Sequence, residues 1–193
     1  VRSGGHRPFP LFPSRRSSEL EAVEWDVVMS VLKVVYFPDD PLTKKARSVE
    51  IFDRALHCLA EDMLETMHEY KGVGLAAPQV GESRRLFVLQ EPDGPEICFV
   101  NPRIVSQEGR AEGEEGCLSM PEVYAQVPRA TYVAVEAQDL DGKKLEIEAH
   151  DFLARIIQHE CDHLDGILFP ERVDIFTRQE KLEEWNEIGR AHV

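Results

Sequence analysis

The sequence predicts an α+β fold, with antiparallel strands packed around a central helix, a helix before the strands and a short helix at the C-terminal end. Three observations predict it. Residues 49–69 carry apolar side chains at helical spacing, residues 151–169 do so again, and four strand-like stretches lie between them. Strands that cluster between helices, rather than alternating with them, give α+β.

The chain has 193 residues, 42% apolar and 30% charged, enough for one domain with a buried core. Residues 1–28 stand apart. The opening VRSGGHRPFPLFPSRRSS holds four arginines, four serines, three prolines and no acid, so we expect a poorly ordered leader. Its composition resembles an organelle transit peptide, but an extension ahead of a start at Met29 is the preferred reading. Residues 29–193 then form the single folded domain.

SVLKVVYFP, bounded by Pro38 and Pro41, reads as a short strand or extended lead-in. In VEIFDRALHCLAEDMLETMHE (49–69) the apolar stripe is Ile51, Phe52, Ala55, Leu59, Met63 and Met67. His57, Cys58 and His68 are read as packing or surface residues, and Lys71-Gly72 as the helix stop, with Gly72 the C-terminal cap. GVGLAAPQVG (72–81) lacks both the Lys-Ser/Thr of a phosphate loop and the spacing of a dinucleotide site. The strand-like pieces are 85–90, 96–105, 131–140 and 144–150, the last two joined by Asp141-Gly142 as a hairpin turn. DFLARIIQHECDHLDGILF (151–169) buries Leu153, Ile156, Ile157 and Leu164, and TRQEKLEEWNEIG forms the short final helix.

A net charge of −14 excludes a phosphate-neutralising nucleic-acid binder. No apolar run reaches the roughly 18 residues that a membrane span needs. Four scattered cysteines, Cys58, Cys98, Cys117 and Cys161, do not make a disulfide framework and point to free thiols, one of them a candidate ligand.

His159-Glu160-Cys161-Asp162-His163 is an H-E-x-x-H within a helical stretch. Residues four apart share a face, so both imidazoles can address one metal ion. Glu160 lies about 100° further round, where a carboxylate can act as base without ligating. A catalytic metal needs a third protein ligand. In the H-E-x-x-H-x-x-G-x-x-H pattern Gly166 is present, but the last place is Phe169, so that reading fails. Glu183 has the spacing of a thermolysin-like third ligand, though it sits among Glu180 and Glu184 on a charged helix. Among the cysteines, Cys117 lies in a glycine-bounded loop, whereas Cys98 and Cys161 read as buried packing residues.

GVGLAAPQVG (72–81), EGCLSMPE (115–122) and QHECDHLDG (158–166) together resemble the three signature motifs of the peptide deformylases, in that family's order. The resemblance runs from about Met29 to about Phe176. It implies Cys117, His159 and His163 as metal ligands, Glu160 as catalytic base, and Gln79 with the Leu118 backbone N–H as oxyanion donors. It also implies one Fe²⁺ per chain, replaceable by Zn²⁺, Ni²⁺ or Co²⁺, and as substrate the N-formylmethionyl end of a nascent polypeptide. The chemistry suits these residue types: a formamide is a poor electrophile, and a Lewis acid beside a general base compensates for that.

Within that resemblance, Gly72 and Gly74 are expected to let the substrate peptide approach as an added strand, and Gly116 to relax the loop that presents Cys117. Val73, Leu118 and Ile156 are candidates for the methionine pocket, and Asp162 for a pair with Arg129. Two alternatives stay open: a thermolysin-like metallopeptidase using Glu183, and a structural zinc module closed by Cys98. The segment after 177 is not markedly basic, which puts stable ribosome docking in doubt and leaves at most a transient contact. A monomer in the cytoplasm is expected, with an organelle as the alternative compartment.

Overall fold

In the computed structural model, residues 30–92 and 94–191 are described; the leader expected over 1–28 lies outside them. The first helix, α1 (Arg54–Glu69), starts later than its apolar period does. Asp53 stops it from extending backwards: its carboxylate accepts the Leu56 N–H at 3.0 Å, an N-cap, and Ile51 beyond it is 71% exposed. The buried face is Leu56, Ala60, Met63, Leu64 and Met67, with Phe52 and Leu59 half-buried against it, so the expected stripe holds except at Ile51 and Ala55, which are exposed. At the other end Lys71, not Gly72, takes the left-handed conformation (φ 56°), while Gly72 N–H donates to Met67 O at 2.8 Å.

Among the described residues, seven strands follow. β1 (Gly74–Ala76), β2 (Leu86–Gln90), β3 (Glu96–Glu108), β6 (Tyr132–Gln138) and β7 (Lys144–His150) form one antiparallel sheet in that spatial order. β3 slips register between Val100 and Arg103, where Pro102 has no N–H to give the ladder. β4 (Ala111–Cys117) and β5 (Met120–Arg129) form a separate hairpin. The sequence reading missed this hairpin and placed Cys117 in a loop, because AEGEEGC offers no apolar alternation.

α2 (Asp151–Leu164) and α1 cover opposite faces of the sheet. β2 shows why: with a period of two, Phe87 and Leu89 point into the cluster holding Ile157, Cys161 and Leu164 of α2, while Leu86 and Val88 point into the cluster holding Leu56, Ala60 and Met63 of α1. Phe87 and Phe99 stack beneath α2 with ring centroids 4.6 Å apart. Leu153, Ile156, Ile157 and Leu164 are buried as expected, and α2 ends at Leu164 rather than 169 because Gly166 turns left-handed (φ 73°).

α3 (Ile175–Ala191) is seventeen residues long, a correction to the short helix expected there. Asp174 holds its start by accepting from Phe176 N–H, Thr177 N–H and the Thr177 hydroxyl. Leu182, Trp185 and Ile188 pack against a third cluster built from Val123, Val127 and Phe169. Residues 30–36 run as a lead-in outside both sheets and turn at 37–38, donating from Val35 N–H to Gln79 O at 2.8 Å and from Phe37 N–H to Ser119 O at 3.0 Å.

Candidate active site

Three stretches of the chain deliver the site. α2 carries Ile156, His159, Glu160 and His163; the end of β4 and its turn carry Glu115 to Leu118; β1 and the short 3₁₀ turn Ala77–Val80 carry Gly74 and Gln79. A register shift after Gly116 leaves Cys117 opposite Met120, a tight turn that points the thiol at the helix.

Cys117 Sγ lies 3.2 Å from His163 Nε2, which lies 3.2 Å from His159 Nε2. The three donor atoms fall within 4.8 Å of one another, around one point. Glu160 is 4% exposed, and its Oε2 is buried without a partner.

These residues fit a metal ion on chemical grounds. A thiol and two imidazole nitrogens are a donor set for a divalent transition metal. Burial pushes the Cys117 thiol up, but the two histidines beside it outweigh that and hold it well below its ordinary value, toward the ligating thiolate. Burial likewise opposes charge on His159, while Cys117 and Glu115 outweigh it and hold its pKa well above the usual histidine range. The centre is therefore built to favour positive charge. His159 Nδ1 donates to Glu115 Oε2 at 3.0 Å, which leaves Nε2 to face the centre.

Glu115 was not singled out in the sequence, although it stands two residues from Cys117 on the same strand and so on the same face. It accepts Arg129 Nε and Nη2 at 3.0 Å each and Arg155 Nη1 at 2.7 Å. Burial works against its charge, but the bonds from His159 and Arg129 hold its pKa down at about 2. Arg129 reaches on to Asp162 at 2.5 Å, the pairing the sequence suggested, and Asp162 also binds Arg172. Burial is the main cause that lifts Glu160 to about 7.

Gln79 is oriented by its own backbone neighbourhood. Its Oε1 accepts Ala76 N–H at 2.8 Å, so its Nε2 faces Cys117 Sγ at 3.4 Å and Ser119 Oγ at 3.3 Å. A cavity of about 540 Å³ opens onto the centre. Val73, Gly74, Gln79, Gly116 and Cys117 line it, as do Leu118, Ile156, His159 and Glu160; His163, 1% exposed, sits behind. Tyr124 and Phe152, both unremarked in the sequence, wall its mouth. Ile156 belongs to the core and to the cavity wall at once.

The other candidates fall elsewhere. Glu183 is exposed on α3 and accepts Gln179 Nε2 at 3.0 Å. Cys98 is buried in the α1-side core, with its thiol pushed up by burial, and Cys161 lies in the α2-side core, pushed up to about 12 for the same reason. Among the described residues, the cluster able to hold a metal is Cys117, His159 and His163. Neither a Glu183-ligated nor a Cys98-closed site is assembled.

A family model described as polypeptide deformylase matches residues 31–179. Peptide deformylase from Chromobacterium violaceum is 48% identical over 154 residues, covering 78% of this chain and 92% of that protein. The crystal structure of a peptide deformylase from Legionella pneumophila superposes with a TM-score of 0.80 at 42% identity, over 84% of this chain and 98% of that one. The peptide deformylase structure from Thermus thermophilus gives 0.77 at 50% identity, over 80% and 92%. Identity of this order over nearly the full length of each relative carries more than a shared fold, and the chain belongs to the peptide deformylase family.

Proposed function

We propose that this site removes the formyl group from the initiator methionine of newly made polypeptides, with Cys117, His159 and His163 holding one metal ion. The observation that carries the assignment is the convergence of one thiol and two imidazole Nε2 atoms beside a buried, unpartnered carboxylate at the floor of a cavity. The metal, when bound, supplies a Lewis acid that polarises the formyl carbonyl and makes water more acidic.

The chain's own groups do the rest. Glu160, poised near neutrality, takes the proton from the attacking water and returns it to the departing amine nitrogen. The Gln79 amide, its oxygen tied to Ala76, offers N–H to the developing oxyanion, together with the Leu118 backbone N–H. Each such donor contributes roughly 3–4 kcal/mol by analogy with single oxyanion-hole donors. The peptide backbone enters as an added strand at the half-buried start of β1, the outer strand of its sheet, between Val73-Gly74 and Gly116 in the cavity wall. Val73, Leu118 and Ile156 form the apolar seat of the methionine side chain.

The metal we propose is Fe²⁺, with Zn²⁺, Ni²⁺ or Co²⁺ accepted by the same donors. Residues 29–193 form the catalytic domain, a monomer, with the nascent peptide as partner. The compartment we propose is the cytoplasm, where free thiols stay reduced, with an organelle as the alternative. Among the described residues, no helix is long and apolar enough to cross a membrane.

Formate release from a formyl-Met peptide by anaerobically purified protein tests the reading. Cys117→Ala loses metal and activity, Glu160→Ala keeps metal without turnover, and Glu183→Ala changes little. Wild-type protein that holds its metal but releases no formate refutes the assignment.

A further inference from the structure

The signature glycines are filled from outside rather than required by their backbone. Gly72, Gly74 and Gly116 all lie outside the left-handed region, so any residue could adopt their conformations. Each faces a neighbouring side chain that a Cβ would press on. A Cβ on Gly72 would meet Leu118 Cδ1 at 3.0 Å, and one on Gly116 would meet the Tyr124 ring at 2.6 Å. A Cβ on Gly74 would lie 2.4 Å from Glu160 Oε1, 2.9 Å from its Cδ and 3.1 Å from its Cγ. The volume that Gly74 leaves empty holds the reacting carboxylate.

We propose that Gly74 is a positioning residue for Glu160: its missing side chain is the seat in which the carboxylate rests facing the cavity. The proposal rests on the assignment of Glu160 as the proton carrier. Neither backbone can retreat to relieve a clash. β1 is paired to β2 through Gly74–Leu89, Leu75–Val88 and Ala76–Phe87, and Leu75 and Ala76 are fully buried. Glu160 stands on α2, which Ile157 and Leu164 on the neighbouring turns and Cys161 next to it pack into the sheet. A methyl group at position 74 therefore moves the carboxylate, not the strand or the helix. Relief from 2.4 Å to ordinary contact at 3.4 Å or beyond displaces Oε1 by about 1 Å, a misplacement of the size that costs about 100-fold in rate. The three heavy atoms nearest that volume all belong to Glu160 and none to Cys117, His159 or His163, so we expect the metal to stay.

The test is a cycle of wild type, Gly74→Ala, Glu160→Asp and the double variant. It reads kcat and KM on a formyl-Met peptide, metal per chain, and thermal stability. We expect Gly74→Ala to keep stoichiometric metal, lose about 100-fold in kcat and change KM by less than about threefold. The shorter Asp carboxylate vacates the seat. Glu160→Asp therefore costs several-fold less kcat in the Gly74→Ala background than in wild type, and it restores part of any stability that Gly74→Ala loses. If the missing side chain of Gly74 serves only to admit the substrate strand and does nothing for Glu160, the alanine raises KM, kcat holds and the two changes add; that result overturns the proposal. So does a Gly74→Ala protein that is unfolded or metal-free and is not restored by Glu160→Asp. Wild-type turnover is the control: its absence refutes the deformylase assignment, whereas wild-type turnover with additive variants refutes only the seat.

Discussion

Replacing Glu115 with glutamine should separate the support of the metal centre from the centre itself. The carboxylate takes donors from Arg129, Arg155 and His159, and its side chain is 5% exposed. Glutamine keeps the shape but brings its own N–H₂ against one of those donors and removes the charge that two guanidinium groups share, leaving Arg129 only Asp162 and Arg155 only backbone carbonyls. The Glu115 pKa falls from an ordinary 4.5 to about 2 in the fold, which corresponds to roughly 3 kcal/mol favouring the charged form. That agrees with the roughly 3–5 kcal/mol lost when one partner of a buried ion pair is removed. Urea unfolding of metal-stripped protein should therefore show Glu115→Gln less stable by about 3 kcal/mol at pH 7, a Tm drop of roughly 10 °C. The sign with pH follows from a depressed acid: the contribution is complete above about pH 5 and is lost as pH falls toward 2, so the two proteins converge in acid. Metal affinity, measured by competition with a chelator, should fall about 10–100-fold because the His159 ring loses its anchor. A variant within about 1 kcal/mol of wild type, with unchanged metal affinity, refutes this account of the network.

Glu160→Gln should stabilise metal-stripped protein at pH 8 by about 1–3 kcal/mol and not at pH 4, because burial raises the carboxyl from 4.5 to about 7, so its ionisation costs stability progressively from about pH 4.5 and in full above about 7; urea titrations at pH 4 and pH 8 decide it. Ile157→Ala, at a fully buried position between α2 and the sheet, should cost about 2–5 kcal/mol while leaving metal content intact, read by unfolding and metal analysis. Trp185→Phe removes the Nε1–H donor to Phe37 O (2.9 Å) but keeps an aromatic ring; the expected loss is about 1 kcal/mol, with kcat unchanged.

What was legible in the sequence was local chemistry. His159, Glu160 and His163 are fixed by one helical turn, and the stripe of Leu153, Ile157 and Leu164 sets the helix that carries them. The hairpin β4–β5 was not legible, because its strand 111–117 is held by something far away in the chain. Arg155 donates to the carbonyls of Ala111, Gly113 and Val127 and thereby ties the hairpin to α2. An acid such as Glu115 reads as a surface residue until Arg129 and Arg155 are seen around it. A trace was present all the same: Val123, Ala125, Val127 and Arg129 alternate toward the interior, and an arginine at the next inward place of an apolar alternation implies a buried partner.

The same residues explain why two histidines on one helix are not left to find their own orientation. His159 binds Glu115, Glu115 binds Arg129, Arg129 binds Asp162, and Asp162 lies three residues along α2 from His159. The chain of bonds leaves the helix and returns to it, a closed ring. Gln158 adds a clamp beside it, accepting Ala130 N–H and donating to Ala130 O at 3.0 Å each. Rotation of α2, or a slip of β4 along β5, would break at least two of these contacts at once. Buried ion pairs of this kind add little net stability over apolar packing. Their effect here is geometric: they hold the His159 imidazole at one angle and Cys117, on the strand that carries Glu115, at one distance from it.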